Sequence, residues 1–245
     1  AIPKAGGVFD YANRALGKNA GFIAGIAQVV EFILAPPAIA FAIGAYFNAF
    51  FPQVPVLTSA IAIYFVFTAL NVYGVRAAAS FEVIVTIFAV GELLLFSGLS
   101  LPHFQAVNLT HNAFPHGWGG AFAAIPFAIW FFLGIEGIAN VAEETKNPQR
   151  DISKGFGWAI LTLAILCILI FISATCIAGW ETIVYKNGIG GETSDSPLPL
   201  ALAKITGSNH PMYHLLITVG LFGLVASFHG LILAAGRSTY EMGRV

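Results

Sequence analysis

The stretch Trp130-Phe-Phe-Leu-Gly134-Ile-Glu136-Gly137-Ile-Ala-Asn-Val-Ala-Glu143-Glu144-Thr-Lys146-Asn147-Pro148-Gln-Arg150 decides how this chain is read. It opens as an apolar helix, loosens around Gly134 and Gly137, and sets a carboxylate, Glu136, where hydrocarbon is expected. It then leaves into a charged loop. A charge at membrane depth costs from about 2.5 to more than 10 kcal/mol, so such a residue faces a cavity or a partner. A glycine-interrupted helix also frees backbone N–H and C=O groups beside the carboxylate, and backbone of that kind is tolerated in a membrane only where it lines a cavity or is buried in protein.

Working outward, the composition carries the membrane reading by itself. The 245 residues are 58% hydrophobic and only 9% charged, against about 25% charged in soluble domains. A net charge of −1 gives no basis for nucleic-acid binding. Cys167 and Cys176 lie in one apolar run and read as small buried hydrophobes rather than a disulfide framework. Segments long enough to span are expected near 19–51, 55–74, 80–101, 118–144, 154–180 and 212–236. Only helices satisfy the backbone internally over such runs, so the class is all-α and polytopic. Pro36-Pro37 is expected to kink the first span, and Pro126 to bend the fourth just before its break.

Loop charge sets orientation. Lys4, Arg14, Lys18, Arg76, Lys146, Arg150, Lys154, Arg237 and Arg244 fall in alternate loops, while the loops 51–55 and 101–118 carry no Lys or Arg. The positive-inside rule then places both ends of this chain in the cytoplasm, as a multi-pass protein of the cytoplasmic membrane. The chain opens on Ala1 inside a loop motif and stops at Val245 just after a span. It is therefore expected to be one transmembrane domain over 1–245, incomplete at both ends. A short helix over Leu198–Ile205 is expected on the outer side.

Phe-x-Gly-x-Glu followed by Ala-Glu-Glu-x-x-Asn-Pro-x-Arg resembles the sixth helix of the amino acid–polyamine–organocation permeases. Pro3-Lys-Ala-Gly6-Gly7-Val-Phe-Asp-Tyr11 is similar to the motif after that family's second helix, and Ala226 to Arg244 to its eighth helix and the following loop. With Ile177-Ala-Gly-Trp-Glu181 and Glu192-Thr-Ser-Asp-Ser-Pro-Leu-Pro-Leu200, the likeness is to the bacterial ethanolamine permeases. The resemblance implies a leucine-transporter-type inverted-repeat bundle, of which this chain would supply roughly helices three to eight. It also implies alternating access, with a substrate site at the break over Leu133, Gly134, Ile135 and Glu136. Trp130 matches a position that carries an aromatic gate in some relatives and is otherwise a core or interfacial Trp. Phe132 would close over the substrate with it.

The acidic residues at depth each carry two readings. Glu136 is a substrate contact or proton-sensitive gate, or else a clasp between helices. Glu31 shares a helix face with Gln28. It is a counter-charge for an ammonium, or a neutral glutamic acid bonded to Gln28. Glu92 is a proton site or a packing bond, and His229 a titrating group or a satisfied packing residue. Glu82 pairs with Arg76 or reaches water. No metal-ligand spacing, phosphate loop or nucleophile motif occurs, so no metal, cofactor or catalysis is expected. The partners expected are the lipid bilayer and a small amine carried by a secondary transporter, ethanolamine first, with proton coupling or amine exchange. An amino acid permease of the same superfamily is the alternative, and a membrane amine sensor that does not transport is the rival from another class.

Overall fold

Long apolar runs fold as helices, and the computed structural model, which describes residues 6–73, 75–188, 190–194 and 196–243, contains no strand among them, only an isolated bridge between Tyr185 and Thr193. Side chains are described throughout except at 73, 75–81 and 144. Pro3, Lys4, Asp195, Arg244 and the Arg76 side chain, which entered the sequence reading, lie outside the described residues.

The helices are α1 (Gly7–Leu16), α2 (Lys18–Phe50), α3 (Val56–Tyr73), α4 (Val75–Ser100), α5 (Val107–Thr110), α6 (Gly117–Ile129), α7 (Gly137–Asn140), α8 (Pro148–Ala178), α9 (Glu181–Val184), α10 (Pro197–Thr206) and α11 (Pro211–Gly243). Among the described residues five segments are long and apolar enough to cross a membrane: Lys18–Phe50, Glu82–His103, Gly117–Asn140, Pro148–Ala178 and Pro211–Gly243. The sixth apolar segment of the sequence is the shorter α3, whose 18 residues rise about 27 Å at 1.5 Å each. α2 continues as helix through Pro36 and Pro37, so removing those two donors loosens the ladder without ending it. α6, in contrast, ends three residues after Pro126. α1 has no counterpart among the expected spans. It is a short amphipathic helix that buries Phe9 as it lies along α2.

α2 and α11 form the central pair, with α3 against both and α4 against α11 and α8. Two apolar clusters hold this arrangement. One joins α2, α3 and α11 through Phe32, Ile39, Ile43, Ala60, Phe228 and Leu231. The other joins α4, α8, α9, α10 and α11 through Phe96, Ile177, Ile183, Leu202 and Leu216. Outside these clusters the surface is apolar as well: Phe65 and Phe127 are each 77% exposed. Apolar side chains exposed on this scale suit lipid or further helices rather than water.

Candidate functional site

The site begins with the interruption between α6 and α7. A 3-10 turn, Trp130–Phe132, follows α6, and α7 starts only at Gly137. Between them the bonds run i to i+3: Leu133 N to Trp130 O, Ile135 N to Phe132 O, and Gly137 N to Gly134 O. Gly134 makes the reversal at φ +79°, where a Cβ would be strained and would also meet Leu231 Cδ2 at 3.1 Å. An amide N–H freed at this reversal needs an acceptor. Glu31 supplies it from α2: its Oε1 accepts from Gly134 N at 3.2 Å.

Polar groups continue from this contact along the helix interior. The Glu136 carboxyl neighbours those of Glu31 and the Gln28 amide, and its Oε1 has no hydrogen-bond partner among the described residues. Gln28 is buried and accepts from Ser238 Oγ on α11 at 2.8 Å. It bonds Ser238 rather than Glu31. One turn beyond Glu136, Asn140 is 1% exposed, and its main-chain oxygen accepts from Arg237 Nη1 at 3.1 Å. The side-chain atoms Nδ2 and Oδ1 of Asn140 and Nε2 of Gln28 have no partner among the described residues. Gly7, at φ +55°, brings the start of α1 against this cluster: a Cβ there would collide with Asn140 Oδ1.

A cavity of about 340 Å³ opens beside the turn. Gly134, Gly137 and Asn140 line it from the break, Glu82 from α4, and Ser227 and Arg237 from α11. Its polar walls therefore carry one carboxylate, one guanidinium, an amide and a hydroxyl. Glu82 reaches across to α11, where a Cβ on Gly230 would collide with its Oε1.

The residues singled out in the sequence fall into four places. Glu31, Gly134, Ile135 and Glu136 come together at the turn, with Leu133 packed against the α2–α3–α11 cluster. Trp130 and Phe132 are about half exposed, at 50% and 49%, and neither lines the cavity. Glu92 and His229 lie elsewhere. Glu92 is buried in a separate cavity between α2, α4, α10 and α11, and His229 is buried with its ring 6.2 Å from that of Phe67 on α3. The sequence reading missed Asn140, Arg237 and Ser227 and did not give Glu82 to the site. Arg237 reads as an ordinary loop cation because nothing in the sequence shows α11 continuing to Gly243. Among the described residues no cluster of three or more His, Cys, Asp or Glu could hold a metal.

A family model described as amino acid permease matches residues 1–245. The chain belongs to the amino acid permease family. Members of this family are permeases, not enzymes. Similar proteins include an uncharacterized transporter of Rhizobium meliloti, 28% identical over 99% of this chain and 52% of the relative. The branched-chain amino acid permease of Bacillus subtilis is 26% identical over 69% of this chain and 40% of its own length. A probable GABA permease of Pseudomonas aeruginosa is 28% identical over 74% of this chain and 41% of its own length. The chain thus spans about half the length, or less, of these relatives. As a permease-family segment it combines a broken helix, an acidic partner for the break and a cavity beside it.

Proposed function

We propose that this chain holds the broken-helix part of the substrate site in a secondary transporter of amino acids. The observation that carries this reading is the cavity of about 340 Å³ at the break, lined by both Glu82 and Arg237. Its volume sits at the small end of ligand cavities, roughly 300–1,000 Å³. An amino acid presents an ammonium and a carboxylate at once. A carboxylate on α4 and a guanidinium on α11 share the lining as complements to those two charges, and Asn140 and the turn's backbone add neutral hydrogen-bonding groups. The relatives named for branched-chain amino acids and GABA support the same class.

The break supports a reading of alternating access. Two half-helices joined by the turn at Leu133–Glu136 can move separately, and Glu31 ties the turn to α2. Adjacent carboxylates at membrane depth repel, so an ammonium or a proton placed between Glu31 and Glu136 relieves the pair. This makes Glu136 the coupling candidate that the geometry supports best, ahead of Glu92 and His229. The basic-loop pattern supports a cytoplasmic-membrane location with both ends of this chain inside.

A second reading is a small amine such as ethanolamine, favoured by Glu31 and Glu136 lying side by side. Calorimetric binding of leucine, GABA and ethanolamine to the intact protein in nanodiscs separates the two. Under the amino acid reading Arg237→Gln weakens the amino acid ligand at least tenfold, and ethanolamine is a poor ligand throughout. Tight ethanolamine binding, indifferent to Arg237→Gln, with no amino acid bound, would establish the amine instead. A sensor is distinguished by binding without accumulation in vesicles.

A further inference from the structure

Away from the helix break, Glu92 sits mid-way along α4 and is only 8% exposed. It lines a cavity of about 220 Å³ whose other walls include Tyr46 on α2, Phe96 on α4, Leu202 on α10 and Leu216 on α11. Gly220 of α11 completes the polar end: a Cβ there would lie 3.7 Å from Tyr46 Cε1 and 3.8 Å from both Glu92 Cδ and Oε1. The carboxyl and the phenol ring therefore converge on one glycine, which leaves open the space between them. No Lys, Arg or His is among the lining residues. The rest of the cavity is leucine, isoleucine, alanine and proline with Phe96 and Gly223, and Leu198, Pro199 and Leu202 come from α10.

A buried carboxylate without a cationic neighbour is costly, and nature retains such groups where a ligand or proton meets them. The break cavity has a guanidinium, that of Arg237, in its lining. This one offers a carboxylate no cation, only the Tyr46 hydroxyl, so it disfavours amino acids. Its walls instead suit a single positive charge on a small apolar body, with the phenol ring available for cation–π contact.

We propose that this cavity is a second binding site, for monocationic amines with an apolar tail, such as branched alkylamines. The ammonium meets the Glu92 carboxylate and the face of Tyr46, and the tail fills the pocket under α10. An occupant bridges α2, α4, α10 and α11 at once. It therefore holds the α10 helix to the bundle and slows any movement that separates them, acting on transport without competing for the break.

The test is equilibrium binding of isopentylamine to the intact protein in nanodiscs, by calorimetry, with isocaproate as the anionic probe of similar shape. Saturable isopentylamine binding is expected, weakened at least tenfold by Glu92→Gln, with isocaproate silent. Gly220→Leu, which keeps the carboxylate and fills the space beside it, is expected to weaken binding as much. It decides the matter if Glu92→Gln fails to fold. Equal binding by Glu92→Gln and Gly220→Leu, binding of isocaproate as tight as that of the amine, or loss in Glu31→Gln but not in Glu92→Gln would each overturn the proposal.

Discussion

Replacing Glu31 by alanine isolates the contact on which the site is built. In the native chain Oε1 of Glu31 accepts from Gly134 N at 3.2 Å, and that N–H has no other acceptor among the described residues. A hydrogen bond to a charged group contributes about 1.5–3 kcal/mol, and a neutral one about 0.5–1.5. At 3.2 Å the native bond belongs at the lower end of the charged range, about 1.5 kcal/mol, or roughly tenfold in an equilibrium constant. Glu31→Ala removes the acceptor and the charge together, so substrate affinity should fall by about 10- to 100-fold. Glu31→Gln keeps an acceptor oxygen for Gly134 and loses only the charge. Its defect should lie between wild type and Glu31→Ala, at about tenfold or less. The assay is ligand binding to purified protein in nanodiscs, with thermal unfolding as the check on folding. Binding by Glu31→Ala within twofold of wild type, in a folded sample, would refute the reasoning. It would leave Glu31 as a group with no part in the site.

Three other outcomes follow from the geometry. Gly134→Ala must hold an L-residue at φ +79° against Leu231 Cδ2; it should lower stability by about 1–3 kcal/mol and affinity with it, and an unchanged melting temperature would contradict the turn. Ser238→Ala strips the buried Gln28 of its 2.8 Å donor and should cost about 1–3 kcal/mol in reversible unfolding, whereas a neutral result would mean that water or a rearranged Gln28 takes the contact. Phe228→Ala empties a fully buried position whose ring packs edge-on to Tyr64 at 5.2 Å and should cost about 3–5 kcal/mol in reversible unfolding, and a loss under about 1 kcal/mol would contradict its place in the core.

The helical class was legible because uninterrupted apolar runs leave the backbone no other means of satisfying itself. The break was legible for a local reason too: Gly134, Glu136 and Gly137 are neighbours in sequence, and each signals the same departure from a membrane helix. What was not legible depends on pairings across the chain. Glu31 and Gly134 lie 103 residues apart, and the sequence shows a carboxylate at depth without showing that a main-chain N–H is its partner. Arg237 and Asn140 are 97 residues apart. The cation looked like a loop charge because its role depends on where α11 crosses α7. Trp130 and Phe132 follow Ile129 in a tight turn and are about half exposed, and sequence alone does not show what they face. Aromatic identity says nothing about which way a short turn faces. The reverse holds for α1, whose apolar face is visible only once it is laid along α2.

Uptake of an amino acid at the break between α6 and α7 and its cavity is the proposal on which the rest depends. The most direct test is accumulation of labelled amino acids, GABA and ethanolamine by proteoliposomes containing the intact protein, wild type beside Glu31→Ala and Arg237→Gln. Saturable accumulation of at least one amino acid is expected, strongly reduced in both variants, with ethanolamine a weak competitor. Accumulation of ethanolamine alone, or amino acid uptake at wild-type rates in both variants, would contradict it.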